Sequence, residues 1–174
     1  MRSRVGINPR DCRNTTLCRP GTADTFTPSF LPKNDHPMIT VHPYLHFNGN
    51  CEEAFLFYKS VFGTDFTMIQ RYEDVPAEQP FPEHDFKKIM HISLPLGKET
   101  ILMGSDVPGA FPQALIGSNF YISLHPDNEE ETRTLYDKLS AGGLIAMPIG
   151  KTFWSELFGM FVDKFGVQWM ISLQ

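Results

Sequence analysis

The 174-residue chain predicts an α+β fold of two βαβββ modules, with mixed sheets forming a cup-shaped half-barrel and one main helix backing each module. Three observations predict it. Alternating apolar segments and segments of helical period follow in the order strand, helix, three strands, and that order occurs twice. The two runs echo each other at an offset of about 77 residues, too long for a solenoid repeat: Tyr44-Leu45 returns as Tyr121-Ile122, and Phe57-Tyr58 as Leu135-Tyr136. Finally, FGMFVDKFGVQWMIS closes the chain as an apolar hairpin turning on Asp163-Lys164-Phe165-Gly166.

The first 37 residues are different material. They hold five of the seven arginines and the breakers Pro9, Pro20, Pro28, Pro32 and Pro37, with no helical or strand period. Residues 1–37 are therefore expected to be a disordered extension, and 38–174 the domain, with modules at about 39–106 and 117–174. Met38 opens the patterned region, so a start codon placed too far upstream would also produce such a leader. Mass spectrometry of the native protein showing Met1 retained would remove that idea.

In the first module, ITVHPYLHF alternates, with Val41, Leu45 and Phe47 on one face and His42, Tyr44 and His46 on the other, as a strand does. Asn50 and Glu53 have the spacing of a capping box. The following helix places Cys51, Ala54, Phe55, Tyr58, Val61 and Phe62 on one side and stops at Gly63. DFTMIQRYE, KKIMHISLPL and ETILMGS are the next strands; the proline-rich VPAEQPFPEHDF between the first two is a loop. In the second module NFYISLHP is a strand, and PDNEEETRTLYDKLSAGG a helix with an acidic first turn and a glycine stop. LIAMPI, the segment through TFWSELFGMFVD, and GVQWMISL complete the set.

Composition excludes several function classes. The net charge is −5, and without residues 1–37 nine basic and seventeen acidic residues leave −8. That balance disfavours nucleic acid and anionic membranes as partners. Cys12, Cys18 and Cys51 have no CxxC spacing, so no disulfide or zinc framework is expected and a cytoplasmic location fits. No apolar stretch approaches the roughly 18 residues of a membrane span.

On PYLHFNGNCEEAFLFYKSVFG, IMHISL…ILMGSD and MPIGKTFWSELFGMFVDKFGVQWMI, the chain resembles the vicinal oxygen chelate superfamily, the glyoxalase and fosfomycin-resistance fold, and within it the PhnB-like group. The resemblance spans about residues 38–174. It implies a small molecule bound in the cup and a homodimer. Members of the group sometimes carry a demethylubiquinone methyltransferase name, but no strand here precedes a glycine-rich nucleotide loop.

Metal-dependent members of that superfamily hold a divalent ion with His and Glu ligands from the first and last strands of each module. An open position then polarises substrate oxygens. The resemblance carries those places to His42 or Tyr44, Met103 or Gly104, Phe120 or Tyr121, and Met170. Only His42 is a competent ligand; a thioether suits hard divalent ions poorly, and one imidazole makes no site. The expectation is a metal-free cup with no cofactor. The alternative is a divalent metal ion in a glyoxalase- or dioxygenase-type enzyme, held by His42 with His46 or His91 and a carboxylate. The ligand-binding candidates are His42, Tyr44, His46, His91, Met103, Tyr121, Trp154 and Met170, and the catalytic residues and reaction are unassigned. Strand parity separates Gln168, Met170 and Ser172 from Val167, Trp169, Ile171 and Leu173, and the resemblance implies that the Met170 set faces the hollow and the Trp169 set the helices. Among the rest, His84, Asp85, His125 and Glu156 read as solvated loop groups, Asp106 as a turn cap or cup-mouth acid, and Cys51 as a buried small hydrophobe.

Overall fold

The computed structural model describes residues 39–76 and 81–174. The expected disordered extension, residues 1–37, lies outside the described residues. Within the domain the first module runs β1 (Tyr44–Phe47), α1 (Cys51–Phe62), β2 (Met68–Arg71), β3 (Ile89–Pro95) and β4 (Ile101–Asp106). The second runs β5 (Ile122–Leu124), α2 (Glu129–Ser140), β6 (Leu144–Gly150), β7 (Leu157–Val162) and β8 (Gln168–Leu173). Two mixed four-stranded sheets result, in the orders β1-β4-β3-β2 and β5-β8-β7-β6. In each, the first strand of the module is parallel to the last and the other neighbours are antiparallel. The duplicated α+β topology expected from the sequence is present, and the sheets are not closed into a barrel.

The first strand of each module is shorter than its alternation suggests. β1 begins after Pro43, which has no N–H for a ladder, although its carbonyl accepts from Met103 N–H at 3.0 Å. The Ile101 N–H at the start of β4 donates to Nδ1 of His42 at 3.1 Å. A side chain thus stands in for a strand partner at that end of the sheet.

α1 buries Cys51, Ala54, Phe55, Tyr58 and Val61 at spacings of three and four. Gly63 ends it in the left-handed region at φ 68°, as a C-cap glycine does. Its start departs from expectation, because Asn50 makes no side-chain cap and no capping box forms. Buried Asp106, at the end of β4, takes that place: one carboxylate oxygen accepts from Gly49 N–H (2.8 Å) and Cys51 N–H (3.0 Å), and the other from Ile89 N–H (3.0 Å). α2 is capped locally, with Asn128 Oδ1 accepting from Glu131 N–H at 2.8 Å.

Close packing against the sheets depends on two glycines. A Cβ on Gly104 would lie 2.6 Å from the Phe55 ring, and one on Gly159 2.7 Å from the Tyr136 ring. The two modules share one core containing Phe55, Tyr58, Ile92, Leu102, Leu139, Phe161 and Trp169. The closing hairpin supplies its polar centre. Buried Asp163 accepts from Phe165 and Val167 N–H through Oδ1, at 2.8 and 3.0 Å. Its Oδ2 accepts from Tyr58 O–H at 2.8 Å and Trp169 Nε1–H at 2.9 Å. Trp169 and Ile171 are fully buried and Met170 only partly, but Gln168 and Ser172 of the Met170 set are buried as well and Leu173 only partly, so burial along β8 does not alternate strictly.

Candidate functional site

The sheet faces turned away from the helices carry the candidate chemistry. On the first sheet, Tyr44 and His46 of β1 stand opposite Met103 and Ser105 of β4, and His91 of β3 stands opposite Gln70 of β2. Two side-chain pairs fix this face: Tyr44 Oη with His91 Nδ1 at 3.3 Å, and Ser105 Oγ with His46 Nδ1 at 3.2 Å. The Tyr44 ring sits 5.3 Å from that of His46 and 5.7 Å from that of His91. Each pair occupies Nδ1 of its imidazole and leaves Nε2 as the position for another partner.

On the second sheet the corresponding face is softer. Met170 of β8 stands between Ser123 of β5 and Met160 of β7, and Phe158 faces Ser172. Half-exposed Trp154 lies edge-on to Phe158 at 5.6 Å and to Phe153 at 4.4 Å.

Two recesses adjoin β1. The first, of 610 Å³, is lined by His46, Ser105 and Asp106 with Tyr72, Phe81, Met90, Val107, Pro108, Phe111, Pro112 and Ala114. Tyr72 and Phe81 form an aromatic wall with centroids 4.6 Å apart, and Tyr72 O–H donates to the Asp106 carbonyl at 3.0 Å. The second, of 790 Å³, lies between β1, residues 114–120 and the 165–168 hairpin; Tyr44, His46, Asn50, Asn119, Phe120 and Gln168 are among its walls. Asn48 holds the connecting segment on both sides of one residue, donating to Ala114 C=O at 3.0 Å and accepting from Ala114 N–H at 2.9 Å.

The predicted residues therefore divide. Tyr44, His46, His91 and Met103 share one sheet face. His42 precedes β1 and is occupied with Ile101, Tyr121 precedes β5, Met170 lies on the second sheet, and Trp154 is in the loop before β7. Neither recess includes Met103, Tyr121, Trp154 or Met170 in its lining. The strongest apolar walls, Phe81, Met90 and Phe111, were not singled out from sequence. Two of them sit in loops beside prolines, where periodicity carries no signal.

The donor set does not fit a divalent metal. Among the described residues no three His, Cys, Asp or Glu side chains come together as ligands. Asp106 and Asp163 direct their carboxylates to N–H and O–H donors of the fold, and Met170 offers only a thioether, a poor donor to hard divalent ions. Burial, together with the charges of Asp106 and Glu52, pushes the Cys51 thiol far up, so it is inert as a nucleophile. Burial and the Asp163 charge raise Tyr58 in the same way. Asp85 is no solvated loop acid: it is fully buried, with Lys88 Nζ at 2.6 Å and Gly109 N–H at 2.9 Å, and the Lys88 hydrogen bond holds its carboxyl below the ordinary value.

Comparison with known proteins gives a consistent neighbourhood. The family described as 3-demethylubiquinone-9 3-methyltransferase matches residues 39–172. Protein PA1353 from Pseudomonas aeruginosa is 39% identical with a TM-score of 0.71, over 79% of this chain and 98% of that one. A PhnB protein from Bacillus cereus is 28% identical with a TM-score of 0.60, over 77% and 98%. Protein YjdN from Escherichia coli is 30% identical over 146 residues, 78% of this chain and 95% of that protein. The fold alone extends to the fosfomycin resistance protein FosX from Mesorhizobium loti, at 12% identity and a TM-score of 0.50, over 78% of this chain and 92% of that one.

Proposed function

Because the chain belongs to the 3-demethylubiquinone-9 3-methyltransferase family, in its PhnB-like group within the glyoxalase fold, we propose that it binds a small, partly apolar molecule on the first module without a metal. The observation that carries this reading is the 610 Å³ recess, walled by Phe81, Met90 and Phe111 beside the His46–Ser105 pair. Its size and its mix of apolar walls with a few convergent polar groups suit a small ligand. The family's name describes methyl transfer. Here the β1–α1 turn, Asn48-Gly49-Asn50, contains one glycine and lies at the edge of a mixed sheet, which offers no glycine-rich loop for a nucleotide-borne donor.

Thermal-shift screening against hydrophobic metabolites and antibiotics tests the proposal. Stabilisation by at least one class, weakened in Met90→Lys, is the expected result; no stabilisation by any class would overturn it. Elemental analysis of protein purified without chelator tests the metal-free part, and a stoichiometric transition metal would refute it. The same reading includes a homodimer and a cytoplasmic location. Exposed Met68 and Ile69 on edge strand β2, and Leu144 and Ile145 on edge strand β6, support self-association. Sedimentation showing a monomer at all concentrations would remove the dimer. The buried free thiol of Cys51 suits a reducing compartment.

A further inference from the structure

We infer that the ligand is an uncharged two-part molecule, with an apolar end in the recess at Phe81, Met90 and Phe111 and a hydrogen-bonding end in the recess at Asn50, Asn119 and Gln168, joined past His46. This rests on the binding reading above and names the ligand class it requires. His46 and Ala114 line both recesses, so the two volumes of 610 and 790 Å³ meet at one imidazole. Their chemistry differs. The smaller is walled by aromatic, methionine and proline side chains; the larger adds amides from both modules.

Charge decides the class. Among the described residues no Lys, Arg, Asp or Glu side chain lines the larger recess. Among them the smaller contains only Asp106, whose carboxylate is already taken by the N–H groups of Gly49, Cys51 and Ile89. A carboxylate or phosphonate entering either volume would lose water without gaining a lysine or arginine, and a cationic ligand would find no unsatisfied acid among the described residues. Amides and an imidazole instead exchange hydrogen bonds with alcohol, amide or carbonyl groups. Asn48 fixes a wall common to the two recesses, since its two bonds hold Ala114, which lines both.

The test is a protein-observed NMR titration of the full chain with N-benzoylglycinamide and with its carboxylate counterpart, N-benzoylglycine, alongside benzene. The amide is expected to bind about tenfold tighter than the carboxylate or better, shifting His46, Phe111 and Asn119 resonances together, while benzene leaves Asn119 in place. Asn48→Ala and His46→Gln are each expected to weaken the amide about tenfold. Equal or tighter binding of the carboxylate overturns the uncharged class while small-molecule binding stands. Amide binding without movement of His46 overturns the two-part geometry. If amide, carboxylate and benzene all leave the spectrum unchanged, the binding reading falls with it.

Discussion

The two modules share a topology and differ in how their polar groups are used. α1 borrows its N-terminal cap from Asp106, 55 residues away, and sends Tyr58 O–H across to Asp163 of the second module. α2 caps itself through Asn128, and Tyr136, at the place matching Tyr58, packs edge-on to Phe161 of its own module at 5.2 Å. The outer sheet faces differ in the same sense. The first carries tyrosine, imidazole and hydroxyl pairs, and the second methionine and exposed aromatic rings. Duplication has kept the apolar frame, because burial sets it in both copies, while the hydrogen-bonding side chains have become specialised. The first module is anchored from outside and presents the polar surface; the second supplies the anchor.

That contrast can be broken at its strongest point first. Asp163→Ala removes the acceptor for Tyr58, Trp169, Phe165 and Val167 together, and denaturant unfolding is expected to show a loss of about 4 kcal/mol. A loss under about 1 kcal/mol would show that the modules do not depend on this contact. Asp106→Ala should cost about 3 kcal/mol, against about 1 kcal/mol for Asn128→Ala. Equal costs would erase the distinction between borrowed and local caps. Gly104→Ala and Gly159→Ala place a methyl group against Phe55 and Tyr136, and each should cost about 2 kcal/mol by overpacking. Since both modules use the device, similar values are expected, and a large difference would show unequal freedom in the two rings.

The smallest effect concerns the β2–β3 connection, where Asp85 is clasped by Lys88. With its folded-state pKa held down, Asp85 contributes stability that is present above the ordinary carboxyl value of about 3.9 and lost as pH falls through the lower folded value. Lys88→Met removes the chief cause. The stability gap between wild type and variant should therefore narrow on acidification below about pH 4. A gap independent of pH would assign the contact no electrostatic role.

Much of the fold was legible because burial writes a period. The Cys51-Ala54-Phe55-Tyr58-Val61 stripe and the alternation of Trp169 with Met170 each gave an element and a face. Strand lengths were less legible: ITVHPYLHF alternates throughout, but Pro43 and the start of β4 leave only Tyr44–Phe47 paired. Asn50 has a capping sequence, yet Asp106 reaches α1 from a distant strand, a competition that local spacing cannot reveal. Of the candidate residues, His46 lines both recesses and Tyr44 the larger one, whereas Phe81 and Phe111 come from irregular loops whose direction only the fold determines.

The bond from Tyr58 to Asp163 spans 105 positions, which gives it a consequence for synthesis. While a ribosome is still producing the chain, α1 can take its helical shape, but its phenol has no acceptor until the closing hairpin emerges. Completion of the first half is deferred until that hairpin has emerged, and a nascent chain paused before it would hold exposed aromatic surface for chaperones to recognise.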